Sequence, residues 1–198
     1  MDAGEKFRRG HYSTDTLPPA QRHELWSERG WPSIAALFKS TAIGEFSTAA
    51  ETIELGEVAV SFASGTARLL ERSPERIAAD GIDMLGAGLL LEGEMEGTAG
   101  RQEFQLGAGE GLLFDLAQPI TMTMSAGRSV QMAVPRALAE ARLGPVLGLH
   151  GLVVPAAATA GFRDKLLALR DAGPDADAAA FVESLIEALA QAVRSSRS

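Results

Sequence analysis

A glycine-rich turn between two apolar stretches constrains the fold of this chain more than any other feature. Glycine occupies alternate positions in 107–111, and it adopts the positive φ angles of a tight reversal without strain. Residues 112–116 are apolar except for Asp115, and after a break at Pro119 apolar and polar residues alternate through 120–125. Alternation with a period of two is typical of a strand with one buried face. We predict that this stretch forms one corner of a small β-barrel.

Further short strands fill the middle of the sequence. The same kind of pattern predicts them at 58–63, 66–72, 82–95, 101–106 and 129–134. The longest of these stretches contains three glycines, so we expect it to bend. Turn signals recur roughly every 8–12 residues, which is typical of an all-β barrel or sandwich.

Helices are predicted on both sides of this β-rich part. Residues 1–12 are polar and expected to be loosely ordered, and a capping signal over 13–19 precedes a helix that reaches about residue 29. The other predicted helices lie at 33–38, 135–143, 161–172 with Thr159 as its cap, and 177–194. The last two form an antiparallel hairpin, because their connection is short. We therefore divide the chain into an N-terminal helical segment packed on the barrel (1–44), the barrel (45–135) and a helical dimerisation segment (136–198).

Composition narrows the function classes. The chain has 18 basic and 26 acidic residues and a formal net charge of −8 at pH 7. Its three lysines are far apart and form no basic patch, so we do not expect residues 1–198 alone to bind DNA. No apolar run is long enough to span a bilayer, and the N-terminus lacks the apolar core of a signal peptide. We expect a cytoplasmic protein without a membrane partner.

No catalytic or metal-binding constellation is visible. His11, His23 and His150 lie in three separate segments, and the chain has no cysteine. Three alternate glutamates in 92–96 share a strand face, but carboxylates without histidine are a poor transition-metal site. We therefore predict no catalytic residue, no metal and no cofactor. Asp115, within an apolar strand, is expected to point outward or to cap a turn.

Because the predicted barrel lacks catalytic and metal-binding residues, we expect it to bind a small apolar ligand and not to catalyse a reaction. Five of the six methionines fall in the β-rich part, where their flexible thioethers serve either as core filler or as the wall of an adaptable pocket. The residues expected to line the cavity are Phe62, Met84, Leu91, Phe104, Phe114, Met122 and Met124.

The last helix carries two apolar rows. One contains Phe181, Leu185 and Leu189, and the other contains Val182, Ile186 and Val193. Two rows are more than one barrel face can cover, so we predict a homodimer interface formed by the first row.

Three groups of residues resemble one family. They are Leu17-Pro18 with Arg22 and Trp26, Arg72-Ser73-Pro74 with Ile77, and Leu106-Gly107 with Gly109. Together they resemble the N-terminal regulatory domain of AraC/XylS-type transcriptional regulators, in particular the AraC-binding-like subgroup. Ala108 and Glu110 depart from that pattern, since the subgroup has proline and aspartate there.

The resemblance implies a cupin-like, jelly-roll sensor barrel, a helical hairpin for dimerisation, and a C-terminal domain with two helix-turn-helix motifs. Residues 194–198 form a polar run typical of the start of a linker. We expect the DNA-binding domain to follow in the full protein, so that DNA is contacted only through it. The alternatives are a stand-alone cupin-like small-molecule binding protein and a cupin enzyme, and the missing histidines count against the enzyme.

Overall fold

Two antiparallel sheets face each other at the centre of the molecule. The computed structural model describes residues 7–28, 37–173 and 175–197. Within these residues the strands are β1 (Phe7–Ser13), β2 (Lys39–Ala42), β3 (Thr48–Leu55), β4 (Val58–Gly65), β5 (Arg68–Arg72), β6 (Met84–Glu92), β7 (Glu94–Ala99), β8 (Gln102–Gly107), β9 (Gly111–Asp115), β10 (Ile120–Met124), β11 (Gly127–Pro135) and β12 (Leu152–Val154). One sheet has the order β1-β3-β4-β11-β6-β9-β12, and the other has the order β2-β5-β10-β7-β8. They form the cupin-like barrel that the sequence predicts.

One helix precedes most of the barrel strands, one lies between β5 and β6, and three follow β11. They are α1 (Arg22–Glu28), α2 (Pro74–Asp80), α3 (Arg136–Leu143), α4 (Ala156–Asp171) and α5 (Ala178–Ser196). Short 3₁₀ turns cover Pro19–Gln21 and Val146–Leu149. In the part of the chain that the structure describes, no helix combines the length and apolar character that crossing a membrane requires.

The glycine-rich turn is a corner between the sheets, as predicted. β8 belongs to the five-stranded sheet and β9 to the seven-stranded one, and the chain passes between them at Gly109, whose φ is +90°. The next break, at 116–119, returns the chain to the five-stranded sheet in β10. The predicted bend in the long apolar stretch is also confirmed, because Gly93 (φ +95°) separates β6 from β7.

The central strands of the seven-stranded sheet are buried on both faces. Its inner face and the five-stranded sheet enclose the barrel interior, which includes Leu90, Met95, Phe104 and Met122. Its outer face, with Val60 among other residues, packs against α3, α4 and α5 in a second apolar layer. β9 is consequently buried at every residue.

Four local predictions are corrected. Residues 7–12 are not loose, because they pair with β3. Residues 74–80 form α2, since Ser73 accepts a hydrogen bond from the Arg76 amide and Pro74 suits a first helical position. β12 was not predicted, and α4 begins at Ala156 with Thr159 inside it. The predicted helix at 33–38 falls mainly on residues 33–36, which lie outside the described residues.

The C-terminal hairpin is confirmed, but its apolar rows are covered within the chain. Asp177 caps α5 by accepting a hydrogen bond from the Ala180 amide at 3.1 Å. Leu185 and Leu189 are 0% and 3% exposed, and Phe181 is half-buried against the same layer. The reasoning that one row remains free is wrong, because α5 contacts α4, α3 and the sheet together. Self-association itself stays a prediction.

Candidate functional site

The structure brings most of the predicted lining residues together inside the barrel. Phe104, Phe114, Met122 and Met124 are buried there, and Met84 is partly buried against them. Phe62 and Leu91 belong to the outer layer under the helices instead. The sequence of β4 and β6 does not show which residues face the barrel interior and which face the helices, because both faces of these strands are covered and apolar residues occur on both.

The apolar half of the interior is filled. The Phe114 ring lies where a side chain at Gly86 would have to be, and it meets the Phe38 ring edge-on at 5.9 Å. A cavity of about 10 Å³ remains among residues that include Gly88, Met122 and Gln131. This is about the space of one water molecule, so a larger ligand requires side chains to move.

The other half of the interior wall is polar. Its buried side chains are small hydroxyls and one amide on the seven-stranded sheet, with a serine and an arginine opposite: Thr48, Thr52, Ser61, Ser129, Gln131, Ser40 and Arg68. Thr52 and Ser61 hydrogen bond to each other at 3.2 Å. The prediction of a wholly apolar wall missed these residues, although the alternation of Ser129 and Gln131 with apolar neighbours was visible in the sequence.

Arg68 is a buried cation without a carboxylate partner. The residue is 3% exposed, and its Nη1 donates a hydrogen bond to Thr48 Oγ1 at 3.2 Å. Among the described residues nothing accepts a hydrogen bond from its Nε, which is also buried. Burial lowers the pKa of Arg68 from its ordinary value, since desolvation disfavours the charged form.

Arg72, on the same face of β5, is paired with groups of the chain itself. It is 0% exposed, and its Nε donates to the Leu116 carbonyl at 2.5 Å. Nη1 donates to the Leu37 carbonyl at 2.9 Å, and Nη1 and Nη2 both reach the Asp80 carboxylate at 2.8 Å. The hydrogen bonds that Arg72 donates to the Asp80 carboxylate lower the pKa of Asp80.

An aromatic cluster lies beside the Arg68 end of the barrel. Trp26 of α1 and Phe46 are 5.6 Å apart between ring centroids, and both pack with Tyr12. Ala42 touches this cluster and is the β2 residue paired with Arg68. The first helix therefore packs near the end of the barrel that holds the unpaired cation.

Asp115 lies at the junction of the barrel and the C-terminal helices. It lies on the face of β9 opposite Phe114 and so points away from the barrel interior, as predicted, and it also caps a turn by accepting a hydrogen bond from the Ala117 amide at 2.9 Å. It is nevertheless only 2% exposed. Burial alone would raise the pKa of Asp115; hydrogen bonds, first of all from Arg136 at 2.6 Å, hold it below the usual value. Its amide donates to His150 Nδ1 at 3.0 Å, and burial lowers the pKa of that histidine.

A separate groove of about 150 Å³ lies on the outer face of the seven-stranded sheet. Phe62 and Leu91 line it with Arg128, and the Arg170 guanidinium lies 5.3 Å above the Phe62 ring. Arg170 also bonds Glu51 at 3.2 Å, so this arginine is paired with a carboxylate. Among the described residues, no three histidine, aspartate or glutamate side chains lie close enough to hold a metal ion.

Comparison with known proteins places these features in a wider context. The family model of the AraC-binding-like domain matches residues 38–195. No curated protein matches the chain. The crystal structure of the AraC-like transcriptional activator CuxR superposes with a TM-score of 0.83 at 18% identity, over 94% of this chain and 70% of that one.

Two other solved structures are far less similar. An HTH_3 family transcriptional regulator from Vibrio cholerae has a TM-score of 0.35 at 12% identity, over 44% of this chain and 50% of that one. The Schizosaccharomyces pombe Cnp3 cupin domain has a TM-score of 0.32 at 15% identity, over 55% of this chain and 70% of that one.

Proposed function

Since the chain belongs to the AraC-binding-like domain family, we propose that it is the effector-sensing part of a transcriptional regulator, with a small molecule bound between the two sheets. The observation that carries this proposal is the divided interior, with flexible methionines in one half and buried polar groups, one an unpaired cation, in the other. A purely structural core gains nothing from unpaired buried polar groups, because each costs free energy. A recognition site uses them to orient a ligand.

The apolar half makes room by rearrangement of its side chains. Met95, Met122 and Met124 have three rotatable bonds each and adapt to a ligand at low cost. The predicted apolar contacts of the effector at Phe104, Phe114, Met122 and Met124 remain part of the proposal. Phe62 and Leu91 do not, since they face the other layer.

Ligand binding inside the barrel is coupled to the helices through shared strands. On β11, Ser129 and Gln131 are among the polar residues of the inner wall, while Val130 and Met132 pack in the outer layer with α5. A displacement of β11 by a bound molecule therefore also displaces the surface on which α5 rests. Close-packed layers transmit such shifts, because they do not compress.

Leu185 and Leu189 of the predicted interface row, which also contains Phe181, are covered within the chain, so we propose the groove between α4 and α5 as the contact with a second copy instead. Ala157, Gly161 and Ala188 line it, and small residues let a helix of a partner approach closely. Gly161 is exposed, and a Cβ there would meet nothing within 4 Å. We expect Gly161→Glu to leave the monomer folded and to abolish a dimer in sedimentation, with Gly161→Ala as the matched control. An unchanged dimer in the glutamate variant would refute this interface.

The effector site is tested by NMR of methionine methyl groups during a screen of small molecules. Met95, Met122 and Met124 report on the barrel interior, whereas Met132 reports on the outer layer. A compound that binds as proposed shifts the first three signals strongly and Met132 weakly. A set of binders that all shift Met132 or surface signals alone would refute the site between the sheets.

A further inference from the structure

We infer that Arg68 binds the carboxylate of an apolar monocarboxylic acid whose tail lies along the methionines of the five-stranded sheet. The inference rests on the proposed function and names the chemical class of its effector. Four features support it: the unpaired charge, the free edge of the guanidinium, a second unpaired donor nearby, and an apolar row that starts at Arg68.

The unpaired charge is costly unless something compensates it. A buried ion without a partner loses its hydration and gains no Coulombic attraction in return. At 3% exposure, Arg68 has one hydrogen bond to a neutral hydroxyl, and no carboxylate of the described residues forms a salt bridge with it. One bound carboxylate supplies one negative charge and so balances the site.

The free edge of Arg68 has the geometry that a carboxylate fits. Thr48 accepts a hydrogen bond from Nη1, whereas the buried Nε, on the guanidinium edge that Nε and Nη2 form, has no hydrogen-bond partner among the described residues. The two parallel N–H groups of such an edge match the two oxygens of a carboxylate. A neutral amide has one oxygen and would leave one of these donors unpaired.

Ser40 supplies the second unpaired donor. Its Oγ is buried and has no hydrogen-bond partner among the described residues. β2 and β5 are neighbours in which Ala42 pairs with Arg68 and Ser40 with Leu70, so Ser40 and Arg68 are diagonal neighbours on the inner face. Diagonal positions are about 7–8 Å apart at their Cα atoms, close enough for both side chains to reach one ligand.

An apolar row begins at Arg68 and crosses the sheet. Arg68 pairs with Met124, Met124 pairs with Met95, and Met95 pairs with Leu106. Strands are about 4.8 Å apart, so the row extends roughly 14 Å from the cation across the interior. A straight or aromatic tail attached to the carboxylate would lie along this row.

Pairs of acids and their primary amides test the inference on the unchanged protein. The probes are octanoate with octanamide, phenylacetate with phenylacetamide, and benzoate with benzamide, each followed by thermal shift and titration. We expect at least one acid to raise Tm, and its amide to bind about 10- to 100-fold more weakly, because a charge-assisted hydrogen-bond pair is lost.

Arginine variants complete the test. Arg68→Met should fold, keep or raise its Tm without ligand, and lose the response to the acid. Arg72→Met is the matched control and should lower Tm, because Arg72 is paired within the chain. Arg68→Gln serves as a second variant that keeps a donor but removes the charge.

The possible outcomes separate this inference from the proposed function. Equal binding of acid and amide inside the barrel, or an acid response that survives in Arg68→Met, would overturn the role of Arg68 and leave the sensor function standing. A fall in Tm of Arg68→Met as large as that of Arg72→Met would assign Arg68 to the fold and overturn the inference. No binding by any of the acids would overturn it as well. Binding that shifts only Met132 would count against the site between the sheets altogether.

Discussion

Two arginines on one face of one strand behave differently in this molecule. Both Arg68 and Arg72 are buried on β5, four residues apart. Arg72 donates to two carbonyl groups and to Asp80, whereas the hydrogen bond from Arg68 goes to a neutral hydroxyl. Burial alone therefore does not distinguish a structural ion from a recognition group. The partners available within the chain make that distinction.

The same contrast applies to the two ends of the barrel. At the Arg72 end, one guanidinium joins α2, Leu37 just before β2, and the segment after β9. At the Arg68 end the wall consists of hydroxyl side chains, and unpaired donors remain on Arg68 and Ser40. We interpret the first end as the rigid part of the barrel and the second as the part that receives a ligand.

The largest expected effect comes from removal of the paired arginine. Arg72→Met should lower the free energy of unfolding by about 2–4 kcal/mol, because it leaves the Leu116 and Leu37 carbonyl groups without their donor and removes the partner of the partly exposed Asp80. Denaturant titration measures the change. A loss below about 1 kcal/mol would contradict the proposed contrast, because Arg72 would then contribute as little to stability as Arg68.

Asp80→Asn should cost about 2 kcal/mol at neutral pH, since Arg72 then loses its charged partner. The pKa of Asp80 is lowered in the folded state from 3.8, so its contribution is present above that pH and is lost as the pH falls through the lower folded value. The stability difference between the natural chain and the variant should therefore shrink below pH 4. A difference that stays constant down to pH 2 would contradict the ion pair.

Arg68→Met should have the opposite sign to Arg72→Met and a smaller size. Replacement of an uncompensated buried charge by an apolar side chain of similar length should raise the free energy of unfolding by about 1 kcal/mol. Calorimetry without ligand measures it. A clear destabilisation would indicate an unrecognised structural role for Arg68.

An effect of similar size to that of Arg68→Met, but destabilising, is expected at Thr48. Thr48→Val removes the acceptor for Arg68 and a hydrogen bond from Thr48 to the Ser64 carbonyl, at a cost of about 1 kcal/mol. In the Arg68→Met background the cost should be smaller, because one of the two bonds is already absent. A double-mutant cycle with no coupling would show that the Thr48–Arg68 bond contributes nothing.

The sequence predicted the architecture well where pattern and turn chemistry agree. The corner at Gly109, the bend at Gly93 and the C-terminal hairpin were all readable, because positive-φ glycines and helical spacing are local signals. Leu185 and Leu189 could not be placed by such signals, since a wide apolar stripe suits either a partner or burial between α4 and the sheet.

The site was predicted only in part for a related reason. Alternation along β5 puts Arg68 and Arg72 on the same face as Leu70, so their burial was deducible. Which of the two is paired was not, because Asp80, Leu37 and Leu116 reach Arg72 from separate segments of the chain. Phe62 and Leu91 were wrongly placed in the barrel cavity because their strands are covered on both faces, so alternation does not show which face is the inner one.

The Arg68 Nε–H signal offers the most direct measurement of the central claim. ¹⁵N-labelled arginine resolves guanidinium Nε–H groups by NMR, and comparison with Arg68→Met identifies the signal of interest. Addition of an acid that binds should shift this signal strongly downfield and slow its exchange with water, whereas the matching amide leaves it unchanged. An Arg68 Nε–H signal that does not respond to a bound acid would contradict the account.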